Sequence, residues 1–351
     1  MRKKLRKQMG ELSAILCILT LVFSVFPSPV QIKAAGNLGK GKPYKETQIA
    51  PPKGWYYWNV GGIFVNAKGK IRIHTVKWEQ TVYGISGKKG KEVSDPMVKA
   101  AYNAWDFVKD KERDTQFYLN TVNKKGTAGY FTNGAIIFKY NKKGIIQKRF
   151  NTCKKLGGEA YYGVRALKWV SGDKVAALVR LRSDDRDPRK ISRRIFLIDM
   201  GKGKIIKKYS AEYDSLCGTD GKHIYVMSGS ITEKTEKIVK LKASSGRKVS
   251  SISTQIIRAL AEDRTEKNGE LFCKDESFDT CYSGGKLYLR YLTGIYTWNE
   301  KKKRFDIVLD GIRNKNYNCI QLSTDFCFST FEVVGKKMYV AGSSNVYMYS
   351  L

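Results

Sequence analysis

Beyond residue 53 the chain alternates short runs rich in Val, Ile, Tyr, Phe and Thr with turns bearing Gly and Lys. That is the pattern of β-strands joined by tight connections. No long stretch there carries a 3.6-residue apolar period. The weak exceptions, MVKAAYNAWDFV (97–108) and TQIIRALAEDR (254–264), read as short helices or irregular crossovers. The runs recur in phase. Each unit has a first strand, a Gly-containing turn, a second strand, a looser connection, a third strand, a charged Gly turn and a fourth strand. Second strands are expected to begin near Ile71, Thr115, Val175, Ile224, Leu287 and Met338, spaced by 44, 60, 49, 63 and 51 residues. Third and fourth strands follow in 134–150, 193–210, 236–253 and 294–310.

A period of roughly 40–60 residues with four short strands per unit predicts an all-β fold, a β-propeller. Each four-stranded sheet exposes both faces until neighbours cover them, so the units must stack, and closing the ring limits the edges left open. About six blades are expected, and the irregular spacings leave five or seven open. The last unit stops at NVYMYSL, its third strand, so its outermost strand must come from elsewhere. GWYYWNVGG (54–62) is the expected donor, making 54–351 a single propeller domain closed by an N-terminal strand. Cys217, Cys281 and Cys327 fall at one phase, each at the end of a first strand, where a small apolar residue packs between blades.

These units resemble those of secreted bacterial β-propellers of the quinoprotein-like and YVTN-type superfamily. VKLKASSGRKVSS (239–251) is similar to the closing turn of such repeats, and DGKHIYVMSG (220–229) and GGKLYLRYLTG (284–294) to their turn and second strand. The similarity spans nearly the whole chain after residue 35 but is periodic, so it implies a fold and no chemistry. A quinone enzyme would need a cofactor pocket with metal-binding acids, and none can be placed in this sequence.

The start of the chain changes the picture of where the protein works. MRKKLRKQMGE carries five basic residues, Leu12–Phe26 is uncharged, and PSPVQIKAAG ends in small residues. That is the order of a secretory signal. These 15 uncharged residues reach only about 22 Å as a helix, short of the ~30 Å bilayer core. Residues 1–35 are therefore expected to be removed by cleavage near Ala34 or Ala35, leaving no transmembrane span, with an uncleaved membrane anchor as the rival reading. Residues 36–53 read as a flexible basic leader. The expected address is outside the bacterial cell or at its envelope.

Charge then narrows the partners. The net charge is +33; residues 1–35 hold six Lys/Arg and Glu11, so +28 remains beyond them. Export argues against nucleic acid and for an anionic cell-wall polymer or polysaccharide, or another envelope protein, with the chain itself a monomer. Lysines outnumber arginines 47 to 18 and fall mostly in turns, which equally fits solvation.

Candidate chemistry is sparse. Within SDDRDPRKISRR (183–194), Arg186, Arg189, Lys190, Arg193 and Arg194 form an anion-gripping loop or, offset by Asp184, Asp185 and Asp187, a charged hairpin tip. Two cysteine pairs with a seven-residue gap, Cys273 with Cys281 and Cys319 with Cys327, are disulfide candidates in an exported protein. GWYYWN (54–59) offers aromatics for sugar stacking or for ring closure. The two histidines, His74 and His223, lie far in sequence from these four cysteines. No G-x-S-x-G, H-E-x-x-H or P-loop motif is present, so no catalytic residue, metal site or cofactor is assigned. Two readings remain: a non-catalytic interaction module, or a propeller glycoside hydrolase or lyase whose carboxylates converge at the hub from separate blades.

Overall fold

The in-phase runs fold into six four-stranded antiparallel sheets. The structure, a computed structural model, describes residues 45–351 apart from 54–59, 66–69, 76–80, 94–95, 97–120, 133, 153–154, 156–160, 183–190, 230–234, 256, 258–278, 292–293, 311–329 and 342–345. The first described strand, β1 (Lys45–Ile49), belongs to the last blade. Blade 1 is β2 (Val60–Val65), β3 (Ile71–Thr75), β4 (Thr81–Ser86) and β5 (Lys89–Glu92). Blade 2 is β6 (Thr121–Val122), β7 (Ala128–Thr132), β8 (Ile136–Asn141) and β9 (Ile146–Asn151). Blade 3 is β10 (Tyr161–Ser171), β11 (Lys174–Arg182), β12 (Ile191–Asp199) and β13 (Lys204–Glu212). Blade 4 is β14 (Ser215–Thr219), β15 (His223–Ser228), β16 (Lys237–Lys242) and β17 (Lys248–Ser253). Blade 5 is β18 (Asp279–Ser283), β19 (Lys286–Tyr291), β20 (Gly294–Asn299) and β21 (Arg304–Asp310). Blade 6 is β22 (Thr330–Val334), β23 (Lys337–Ala341), β24 (Val346–Ser350) and, outermost, β1.

The first strands line the axis. Strand β10 lies beside β14, β14 beside β18, β18 beside β22, and β22 beside β2, so the ring closes between blades 6 and 1. All six blades belong to one unit, Leu38–Leu351.

Strand alternation explains how blades grip one another. Successive residues of a second strand point to opposite faces, one toward each neighbouring blade. Val175 packs back against Tyr130, Ile137 and Phe150 of blade 2, while Ala176 packs forward with Leu216 and Ile224 of blade 4. The pair Ile224 and Tyr225 repeats this, Tyr225 meeting Leu287 and Leu289 of blade 5. Tyr288 and then Tyr339 carry the forward contact to blades 6 and 1. Each fully buried Val, Ile or Leu contributes roughly 1.5–3 kcal/mol, so the seams, not the single sheets, hold most of the core.

Two sequence expectations are corrected. The second strand of blade 2 begins at Ala128, not near Thr115. Gly129 stands where Val175, Ile224, Leu287 and Met338 stand in other second strands, so the apolar signal is weakened at the strand start, although Phe131 on the same face is buried. The closing strand is Lys45–Ile49, inside the segment read as a leader, whereas Val60–Val65 is the innermost strand of blade 1. KETQI looks polar because pairing with β24 is made by backbone, from Lys45 opposite Ser350 to Ile49 opposite Val346. A single deep anchor suffices: Ile49 is 1 % exposed, packed among Ile63, Ile73 and Val346. The next residue, Ala50, accepts from Gly90 N at 2.9 Å and donates to Lys88 O at 2.8 Å, tying the closing segment to blade 1 as well.

The sequence 97–108 lies outside the described residues. Of 254–264, Thr254, Gln255 and Ile257 are described; Ile257 is buried in the seam between blades 4 and 5. Among the described residues no helix is long and apolar enough to cross a membrane.

Candidate functional site

Antiparallel meander pairing dictates where the short connections go. Turns joining first to second strands and third to fourth strands fall at the same end of each blade. Their backbones touch: Met200 N donates to Asp173 O, Ala243 N to Lys222 O, and Leu351 N to Lys336 O. Contacts between blades bring these ends together around the ring. Tyr130 of blade 2 donates to Asp173 in the blade 3 turn at 3.1 Å. The rings of Tyr225 in blade 4 and Tyr282 in blade 5 stack with centroids 5.0 Å apart, and Ser283 donates to Val333 O of blade 6 at 2.6 Å. Tyr209 of β13 donates to Ala243 O in the blade 4 turn at 2.6 Å, with Gly246 against its ring. At Gly246 φ is +73° and a Cβ would sit 2.6 Å from that ring, so only glycine fits the turn.

The lysine-bearing turns NKKG, KKG, GKGK, SSGRK and EKKK all lie at this end, where cations far outnumber acids. The acids in the described turns are Asp173, Asp220 and Glu300; Asp220 and Glu300 are engaged within their own turns and Asp173 by the neighbouring blade. Lys139 Nζ lies 2.8 Å from Asp173; this bond, working against burial and helped by Tyr130, holds the Asp173 carboxyl below its ordinary value. Burial would raise Asp220, but bonds from the His223 ring, the His223 and Lys222 amides and the Tyr225 hydroxyl outweigh it and hold the carboxyl low. Glu300 is lowered chiefly by Lys303, 2.7 Å away, and by Trp298. The acids thus brace the turns and leave the lysines to face solvent.

The residues singled out from sequence are dispersed. Arg186, Arg189 and Lys190 lie outside the described residues. Arg193 and Arg194 belong to β12 itself rather than to a loop. Arg193 Nη1 is 3.1 Å from Asp214 Oδ1 in a half-exposed pair, and Arg194 Nη1 donates to Ser210 O at 3.3 Å. Such exposed pairs contribute little stability. His223 serves the Asp220 turn, and His74 lies on β3. Trp55, Trp58, Cys273, Cys319 and Cys327 fall outside the described residues.

Cys217 and Cys281 sit buried on the inner strands β14 and β18. They pack in the seams between blades 4 and 5 and between blades 5 and 6, as small apolar residues there should. The phase of the third member is corrected. Cys281 pairs with Tyr288, and the matching partner of Tyr339 in blade 6 is Glu332, not Cys327. The Cys281 Sγ lies 3.3 Å from Glu332 Oε2. Burial, then the Glu332 charge, push this thiol well up from its ordinary range, while the Val333 amide and the Lys168 ammonium on β10 pull the other way. A thiol held protonated is a poor nucleophile. Among the described residues no three His, Cys, Asp or Glu converge in a group that could hold a metal ion.

What sequence reasoning missed is the common location of the turns and the partnerships of Asp173 and Glu332. The recurring KKG and GKGK turns were the available signal for the first; the others join blades whose order, not whose spacing, sets the contact.

The strand order establishes the class: the chain is a six-bladed β-propeller. No known family profile matches it, and no curated relative does. Among solved structures it is similar to a gluconolactonase from Xanthomonas campestris, at 12% identity and TM-score 0.48 over 92% of this chain and 93% of that one. It is similar to BamB from Moraxella catarrhalis at 10% identity and TM-score 0.38, over 80% of this chain and 70% of that one. The β-propeller domain of the Trilobed protease from Pyrococcus furiosus, described as having an open velcro topology, shares 9% identity and TM-score 0.43 over 80% and 77% of the respective chains. Likeness at these levels is one of fold, and no site is carried across.

Proposed function

We propose that this propeller is exported and acts as a non-catalytic binding module at the bacterial envelope, with affinity for an anionic partner. The observation that supports it is the gathering of the lysine-bearing turns at one end of the ring, where the acids are occupied in bracing those turns. Cations spread over one end create a field that attracts a polyanion and weakens with salt. Lysine rather than arginine suits a diffuse array of charges instead of one forked contact.

The test is co-sedimentation of residues 36–351 with isolated bacterial cell walls across a salt series, with walls stripped of anionic polymers as control. Saturable binding that falls steeply with salt and vanishes on stripping supports the reading. Absence of binding at low salt, together with release of reducing ends from an acidic polysaccharide, would replace it with the hydrolase or lyase reading.

A further inference from the structure

The same end of the ring carries a second property that charge alone does not account for. The large apolar side chains exposed among the described residues are Ile145, Ile205, Ile206, Val249 and Leu351. Scattered exposed aliphatics are ordinary on any protein. These are not scattered. Ile145, 58 % exposed, closes the blade 2 turn directly after Lys142, Lys143 and Gly144. Ile205 and Ile206 follow the blade 3 turn beside Lys204, and Val249, 50 % exposed, follows Arg247 and Lys248 in blade 4. Leu351 ends blade 6 where the other blades place their third-to-fourth turn, its amide on Lys336 O at 2.8 Å. Four blades therefore repeat one arrangement: an exposed aliphatic next to lysine or arginine, at one end of the ring.

A soluble polyanion would engage the cations and leave the aliphatics in water. An apolar protein partner would cover the aliphatics and strand the lysines. A bilayer with anionic headgroups satisfies both, since cations meet the headgroup phosphates while short aliphatic tips reach the acyl boundary. We propose that the turn end of blades 2, 3, 4 and 6 is a docking face for the surface of an anionic lipid bilayer. This rests on the anionic affinity proposed above and names the partner. The ring sits on the surface without spanning it, and the opposite end, with the connections between second and third strands, stays turned to solvent.

The experiment is sedimentation of the protein with sucrose-loaded vesicles of phosphatidylcholine alone or mixed equally with phosphatidylglycerol, beside binding to a heparin column. The expected result is salt-sensitive binding to the mixed vesicles and little to phosphatidylcholine. The Lys142→Gln, Lys143→Gln pair should weaken vesicle binding roughly fivefold per charge removed. The Ile145→Ser, Val249→Ser pair should weaken it about tenfold while leaving heparin retention unchanged. All four side chains are exposed, so unchanged melting curves verify that the variants are folded. Heparin retention without vesicle binding overturns the lipid docking face and leaves the anionic affinity standing; loss of both removes both readings. Vesicle binding untouched by the Ile145 and Val249 changes also overturns the proposal, because simple charge adsorption then explains it.

Discussion

The thiol of Cys281 on blade 5 meets the carboxylate of Glu332 on blade 6, Sγ to Oε2 at 3.3 Å. The two residues occupy the same place in consecutive inner strands, each opposite a tyrosine of its own second strand. The thiol is the hydrogen-bond donor, and burial is the largest of the influences that keep it protonated.

Cys281 should accordingly resist a thiol reagent such as Ellman's in the folded protein at pH 8 and react fully on unfolding. Glu332→Gln should leave it protected, since burial is the larger cause. Rapid labelling of native Glu332→Gln protein would show that the neighbouring charge, not burial, shields the sulfur.

The hydroxyl of Tyr209 bridges blades 3 and 4 through the Ala243 carbonyl in a buried bond of 2.6 Å. Tyr209→Phe leaves that carbonyl unsatisfied at the seam. A loss of about 1–2 kcal/mol is expected from urea unfolding. No change would mean that the seam relaxes to admit water.

Asp173 couples blades 2 and 3 through Lys139 and Tyr130. Its carboxyl is lowered in the folded protein, so its contribution is present above the ordinary carboxylate value of 3.8 and is lost as pH falls through the still lower folded value. Asp173→Asn should flatten this acidic limb of the stability–pH curve and cost no more than about 1 kcal/mol at neutral pH, because the pair is partly exposed. Thermal melts between pH 7 and pH 2.5 check both statements. A wild-type curve that matches Asp173→Asn throughout would contradict them.

Ile49 is the deep anchor of the closing strand. Ile49→Ala should cost about 2–4 kcal/mol, as for other fully buried large-to-small changes, whereas Gln48→Ala, exposed on the same strand, should cost far less. Equal and small effects would mean that β1 adds little to ring stability.

The blade repeat was legible in the sequence because strand alternation and glycine turns are local signals. Val175, Ile224, Leu287 and Met338 each mark a second strand within a residue or so of its start, and the four third-to-fourth pairs end within about two residues of their expected bounds. Blade 2 failed where Gly129 occupies the apolar position. The closing strand failed because KETQI carries one strongly apolar residue, and a strand held mainly by backbone bonds to β24 leaves almost no side-chain signature.

The candidate site was less legible. SDDRDPRKISRR drew attention as the densest arginine cluster, yet Arg193 and Arg194 are spent on Asp214 and Ser210 within the sheet and its edge. The lysine turns looked like ordinary solvated loops one at a time.

By itself, then, the sequence determined the strands, the turns and the need for blades to stack, since each follows from side-chain alternation and backbone preference over a few residues. Only the tertiary structure decided that Lys45–Ile49 closes the ring, that Glu332 receives the Cys281 thiol, and that Lys142, Lys204, Lys248 and Lys336 share one end with Ile145, Ile205, Val249 and Leu351. Those relations join residues tens to hundreds of positions apart, and ring closure, not local pattern, sets which of them become neighbours.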